Sequence, residues 1–237
     1  LLLRHTCICY SFKTHIVLTT FCSLILLGLQ ENDKEIIYRP CDLRDLDCIR
    51  DFFAKNSPCT ITKGLAPDPL ILERSTVNFP IVNITVILNS MQTSGLNNAK
   101  VKDFYVNKYT GNVVFAIDVM GMSERSSSTS FRYLRTGKEP IVLTDYVTLT
   151  FTVIPKVPYL QLHKADIHAD IADSNPTLII GPKAYNSSDP VVQRSFSSLI
   201  ANLPRALREA LLLKSSVYLT TFIQSNICDF GQDIIAI

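Results

Sequence analysis

Leu43, Leu46, Ile49 and Phe53 recur at spacings of three and four residues, with charged residues filling most of the gaps. That spacing predicts a short amphipathic helix over residues 42–56, stopped by Ser57-Pro58. The breaker-rich run KGLAPDP follows and reads as irregular chain leading inward through Leu70, Ile71 and Leu72. From 80 to 180 the hydrophobic period shortens to two. Val82, Ile84, Val86 and Leu88 alternate with Asn83, Thr85 and Asn89, which places Asn83 on the polar face of a strand. Phe104 and Val106 begin a second strand, and Thr110-Gly111-Asn112 reads as a hairpin turn. Val113, Phe115, Ile117 and Val119 then share a face opposite Asn112 and Asp118. The long stretch 141–154 puts Ile141, Leu143, Val147, Leu149, Phe151 and Val153 on one side and threonines on the other. With strand-like runs at 159–171 and 177–180, the pattern describes a large antiparallel sheet with one apolar face.

The period returns to helical near the C-terminus. Ser188-Asp189-Pro190 supplies an N-cap followed by proline at the first helical position. Phe196, Leu199, Ile200, Leu203, Leu207, Ala210 and Leu211 then make a wide apolar stripe. The helix is expected to reach about Lys214, with Pro204 kinking it or splitting it in two. The β-branched and aromatic run from Ser216 to Ile223 reads as a closing strand. A sheet with one apolar face must cover that face, and the late helix is the only element long enough. The expected fold is α+β: one elongated domain with the sheet curled around a long helix.

Composition narrows the setting. With 47% hydrophobic and 19% charged residues in 237, the chain is too apolar for disorder and large enough to bury a substantial core. Residues 1–30 carry Arg4, His5 and Lys13 ahead of an apolar stretch, Ile16 to Leu29, and the solvated sequence ENDKE follows. The stretch is short for a membrane span, which needs about 20 residues. It predicts a secretory signal over 1–30 and a single mature domain over 31–237, with no stable membrane insertion once the signal is gone; an uncleaved anchor is the alternative. Without Arg4 and Lys13, 21 basic residues balance 21 acidic ones, and no basic run with interleaved aromatics supports nucleic-acid binding. Four cysteines remain in the mature segment: Cys41, Cys48, Cys59 and Cys228. In a secreted chain they suggest two disulfides, with three possible connectivities. Cys41 and Cys48 are near enough to close a small loop, leaving Cys59 for Cys228; buried free thiols at those two positions are the competing reading. Asn83-Ile84-Thr85 and Asn186-Ser187-Ser188 are glycosylation acceptors.

The stretch YRPCDLRDLDCIRDFF, then PDPL, then NSMQTSGLNNAKVKDFYVNKYTGNVVF, resembles the insect haemolymph juvenile-hormone-binding and takeout family, as does SFRYLRTGKEPIVL further on. The ordered set spans roughly residues 38–225. The resemblance implies a long helix wrapped by a highly curved antiparallel sheet around a hydrophobic tunnel. It also implies an N-terminal lid helix held by a short disulfide, here Cys41 and Cys48 with the helix around Ile49 to Phe53. The chain departs from the hormone-binding branch in its second cysteine pair, having Cys59 and Cys228 in place of a link between sheet and long helix.

A carrier of that kind needs an apolar hollow with few polar groups. The candidate lining is Phe53 on the lid, Phe104, Phe115, Ile117, Val147, Leu149 and Phe151 on the sheet, and Phe196 and Ile200 on the helix. Tyr133 is a candidate to offer a hydroxyl to an ester or acid head group; Tyr146 falls on the threonine face and would need a bulge to do so. The expected ligand is small, elongated and hydrophobic: juvenile hormone, a fatty acid or a terpenoid. No cofactor or resident metal is expected, and no enzyme, since the chain has no Gly-x-Ser-x-Gly elbow, zincin helix or phosphate-binding glycine loop. Two alternatives stand beside the carrier. One is a metal-dependent enzyme: Asp166, His168 and Asp170 would share a strand face, a spacing that can place three ligands near a metal, although a solvated polar face explains the same residues, with His163 pointing the other way. The other alternative is an extracellular partner-binding protein whose interior is solid.

Overall fold

Asp45 starts the first helix: its carboxylate accepts the Cys48 amide at 2.9 Å, satisfying one of the free donors of the first turn. The computed structural model describes residues 36–162 and 167–231. Contacts divide the chain after Ile36, and the unit beginning at Ile37 holds every helix and strand named below. Helix α1 runs over Leu46–Asn56 and buries Ile49 and Phe53, as the periodicity predicts.

Seven strands form one antiparallel sheet: β1 (Ile37–Tyr38), β3 (Leu70–Phe79), β4 (Ile84–Ser94), β5 (Lys100–Asn107), β6 (Val113–Arg135), β7 (Lys138–Leu160) and β8 (Asp170–Ile180). Two short strands, β2 (Thr60–Ile61) and β9 (Cys228–Asp229), pair separately. β6 is the spine. β7 pairs along its whole length, while β5 and β4 take successive stretches of its other edge. β8 lies beyond β7, and β3 beyond β4.

Bulges bend the spine. Register shifts fall between Val119 and Met122 and between Ser126 and Thr129, and Gly121 supplies a positive φ of 67° at the first. Each inserted residue also changes which parity faces inward. Val113, Phe115, Ile117 and Val119 point into the core, then Met122, Glu124 and Ser126, then Thr129, Phe131 and Tyr133.

The inner face is covered by α2 (Pro190–Ala201) and α3 (Leu203–Asn226). Asp189 caps α2 by accepting the Val191 and Val192 amides at 2.8 and 3.3 Å. The expected split near Pro204 occurs: the helix breaks at Asn202, and Pro204 sits in the first turn of α3, where its missing N–H costs nothing.

Three expectations need correction. Residues 216–223 are helical, not a closing strand, because α3 continues to Asn226 with Val217, Tyr218, Leu219, Phe222 and Ile223 buried; packing overrides the local β preference. Val82 and Asn83 are not in the strand: Pro80–Val82 is a 3-10 turn, and Asn83 ends it in the left-handed region at φ 54°. Asn83 is nonetheless exposed, as is Asn186. β3 was visible only as an inward run at 70–72, yet it spans ten residues.

Both cysteine pairs are bonded, Cys41 to Cys48 and Cys59 to Cys228, with Cα separations of 5.8 and 5.6 Å. The Arg50 guanidinium on α1 donates to the Thr62 and Asn226 carbonyls at 3.0 and 2.8 Å, tying α1 to the last turn of α3.

Candidate functional site

The space between sheet and helices falls into two clusters of buried side chains. At the α1 end, aromatic rings fill it. Phe104 stands 5.3 Å from Phe52, 6.1 Å from Phe53 and 6.1 Å from Phe115, and Phe53 lies 5.9 Å from Phe115. These are ordinary aromatic packing distances. Phe53, Phe104, Phe115 and Ile117 are fully buried. The candidate lid is therefore packed onto the sheet, bonded to the segment before it by Cys41–Cys48, followed at once by the long-range Cys59–Cys228 bond, and fastened to α3 by Arg50.

In the middle lies a polar group that alternation along β6 did not reveal. Glu124 on β6 and Lys214 on α3 form an ion pair at 2.7 Å, both almost fully buried. The Tyr218 hydroxyl donates to the other Glu124 oxygen, and Lys214 also lies 3.2 Å from the Met91 sulfur. Burial, followed by the charge and hydrogen bond of Glu124, raises the Tyr218 pKa well above that of a free phenol. The Tyr218 ring in turn packs 6.2 Å from Phe151.

Beyond the ion pair a cavity of about 60 Å³ remains. Its walls are apolar except for Glu124 and Lys214, and they include Val147 and Leu149 from the sheet and Leu199, Leu203 and Leu207 from the helices. A benzene-sized guest needs roughly 150 Å³, and lipid-binding pockets run to about 300–1,000 Å³.

Of the candidate lining, Val147 and Leu149 face this cavity, and Phe53, Phe104 and Phe115 meet one another at the opposite end. Phe196 is buried against Tyr185, their ring centroids 4.6 Å apart. Ile200 is a correction: it is 40% exposed, and Leu199 takes the inward position. Tyr133 is fully buried, its hydroxyl without a hydrogen-bond partner among the described residues, and burial pushes its pKa up to about 12. Tyr146 is exposed, as strict alternation requires.

Of the possible metal ligands, Asp166 and His163 lie outside the described residues, and His168 and Asp170 are exposed. Among the described residues, no three metal-binding side chains gather. No described helix is long and apolar enough to cross a membrane.

The motifs behind the resemblance hold the fold together. Asp68 of the Asp-Pro-Leu segment accepts the Gly95 amide through both carboxylate oxygens, at 3.0 and 3.1 Å, so PDPL and SGL meet in space. Asp103 of KVKDF pairs with Lys156 on β7 at 3.0 Å.

Comparison with known proteins gives the chain its relatives. It is 26% identical over 202 residues to a protein named fibrohexamerin from Galleria mellonella, covering 82% of this chain and 89% of that one. The solved structure of Takeout 1 from Epiphyas postvittana aligns at 14% identity with a TM-score of 0.44, over 79% of this chain and 94% of the other. None of these names a catalytic family. The expected architecture of a long helix against a curved antiparallel sheet is present, while the family whose model matches, over residues 37–232, is not takeout but fibroin P25. The chain belongs to the fibroin P25 family.

Proposed function

We propose that this chain is a secreted, disulfide-stapled protein that works by binding a protein partner, fibroin, through its surface. The observation that carries the reading is the filled interior: about 60 Å³ of cavity is several times too small for an elongated lipid. The family and relative names, fibroin P25 and fibrohexamerin, indicate the partner. Two disulfides suit an oxidising extracellular setting, and the exposed Asn83 and Asn186 suit glycan attachment there. Size-exclusion chromatography of the purified chain with fibroin from the same organism tests the reading. Coelution at a fixed ratio is expected; separate elution under all conditions would refute it.

The apolar chemistry of the walls at Val147 and Leu149, and not the volume between them, supports a second reading, a carrier for a small hydrophobic ligand, whether hormone, fatty acid or terpenoid. Organic extraction of the purified protein followed by mass spectrometry separates the two. A lipid recovered at one per chain would establish the carrier, and its absence together with coelution would establish the partner-binding protein.

A further inference from the structure

The start of α3 is undercut. A surface groove of about 590 Å³ runs between its first turns and residues 172–176 of β8. The groove shares Leu203 and Leu207 with the internal cavity, so those two side chains alone figure in both walls. On the opposite flank, a smaller hollow of about 20 Å³ reaches Ala206. Asn202, at the break between α2 and α3, gives α3 no side-chain cap; its amide donates back to the Ser198 carbonyl at 2.8 Å. Farther along, Ser215 and Ser216 hold α3 to Ala169 by two hydrogen bonds.

We infer that this groove is the docking site for the partner, and that its occupant is a protein segment carrying an apolar anchor residue beside a carboxylate. The inference rests on the partner-binding reading above. Size selects the anchor: an apolar side chain that displaces Leu203 or Leu207, the two residues between groove and cavity, gains about 60 Å³ behind them, which suits the tip of one side chain and not a lipid tail. A buried anchor of this kind is where binding energy concentrates in protein interfaces.

Charge selects the flanking carboxylate. Arg205 and Arg208 stand exposed on the groove's helix wall; Arg205 pairs with Glu209 at 2.9 Å, and Arg208 pairs with no carboxylate among the described residues. The strand wall adds one carboxylate, Asp173, which accepts the Ser174 amide at 2.8 Å, so the lining sets two arginines against one aspartate. That same contact, with Pro176 lacking an N–H, guards the open edge of β8 against strand pairing. The segment therefore docks by its side chains and not as an added strand.

Two variants of the full chain test this against immobilised fibroin from the same organism. Ala210→Val fills the cavity from within and leaves the groove's surface untouched; Arg208→Glu reverses the rim charge without touching the core. Each is expected to weaken binding about tenfold, with thermal stability of Ala210→Val unchanged or raised, and Arg208→Glu is expected to flatten the salt dependence of binding. Wild-type affinity in both variants would overturn the docking site while leaving the partner reading intact. No binding by the wild-type chain would overturn both. Saturable uptake of oleate by the wild type, abolished by Ala210→Val, would assign the cavity to a lipid and overturn the anchor.

Discussion

The same two strands, β6 and β7, floor both ends of the interior, yet the ends are built differently. At the α1 end, four phenylalanines meet, both disulfides close, and an arginine ties the first helix to the last. At the α3-start end, no disulfide falls among the described residues, the helix begins uncapped, and space remains under it. Continuous apolar alternation along a strand therefore says which face is covered, not how tightly. Tightness is decided by what the opposite layer contributes: rings at one end, Ala206 and Ala210 at the other.

The largest test of this contrast is covalent. Replacing Cys59 and Cys228 with serine is expected to cost about 5 kcal/mol, against about 2 kcal/mol for Cys41 and Cys48, because the closed loops differ so much in length. Denaturant unfolding reads both, and equal losses would mean that chain entropy does not set the difference. Next comes the boundary between the ends. Glu124→Ala leaves the Lys214 ammonium buried and alone, and should cost about 3–5 kcal/mol, whereas Glu124→Leu with Lys214→Met should lose only about 1–3 kcal/mol, the cost of stranding the Tyr218 hydroxyl that donates to Glu124. A double variant as unstable as the single one would show that the pair contributes more than mutual compensation.

Alkali probes the far end through Tyr133. Its folded pKa of about 12 lies above the unfolded value near 10, so the stability linked to its neutral phenol is intact below pH 10 and is lost as pH rises through 12. The loss is at most about 3 kcal/mol for a shift of about two units. Tyr133→Phe should remove that part of the alkaline transition at no cost near pH 7, since the hydroxyl has no partner among the described residues. The smallest effect compares one added methylene at each end. Val147→Ile enters the cavity and should stabilise by up to about 0.8 kcal/mol, while Val113→Ile enters the packed end and should destabilise by about 1 kcal/mol. The same sign at both sites would erase the distinction.

Much of this architecture is legible in the sequence, and the failures have physical causes. The inward faces of β7 and of the first part of β6, the helix break near Pro204 and the nearness of Cys41 to Cys48 follow from spacing, while spacing leaves Cys59 and Cys228 to pair or to stay free thiols, and the structure bonds them. β3 hid because Glu73 and Arg74 are exposed in succession, where the ladder skips the pair Glu73 and Ser90 and Ser90 takes a positive φ of 46°. Glu124 hid for a related reason. Counting by twos from Val113 sends it outward, and only the bulge at Gly121 turns it in to meet Lys214, a partner 90 residues away. Ile200 and Leu199 are adjacent members of one stripe, and Leu199 is the one in helical phase with the buried Val192 and Phe196. The cavity itself leaves no mark in the sequence, since small residues on α3 are equally consistent with close packing.

The Cys59–Cys228 bond gives the chain an unusual response to tension. A pull on the two ends travels through that covalent bond and bypasses everything folded between residues 59 and 228. Under a load applied at the termini, β3 to β8 and the two late helices would carry almost none of the force and keep their shape, while β1 and α1, which precede Cys59, would bear it.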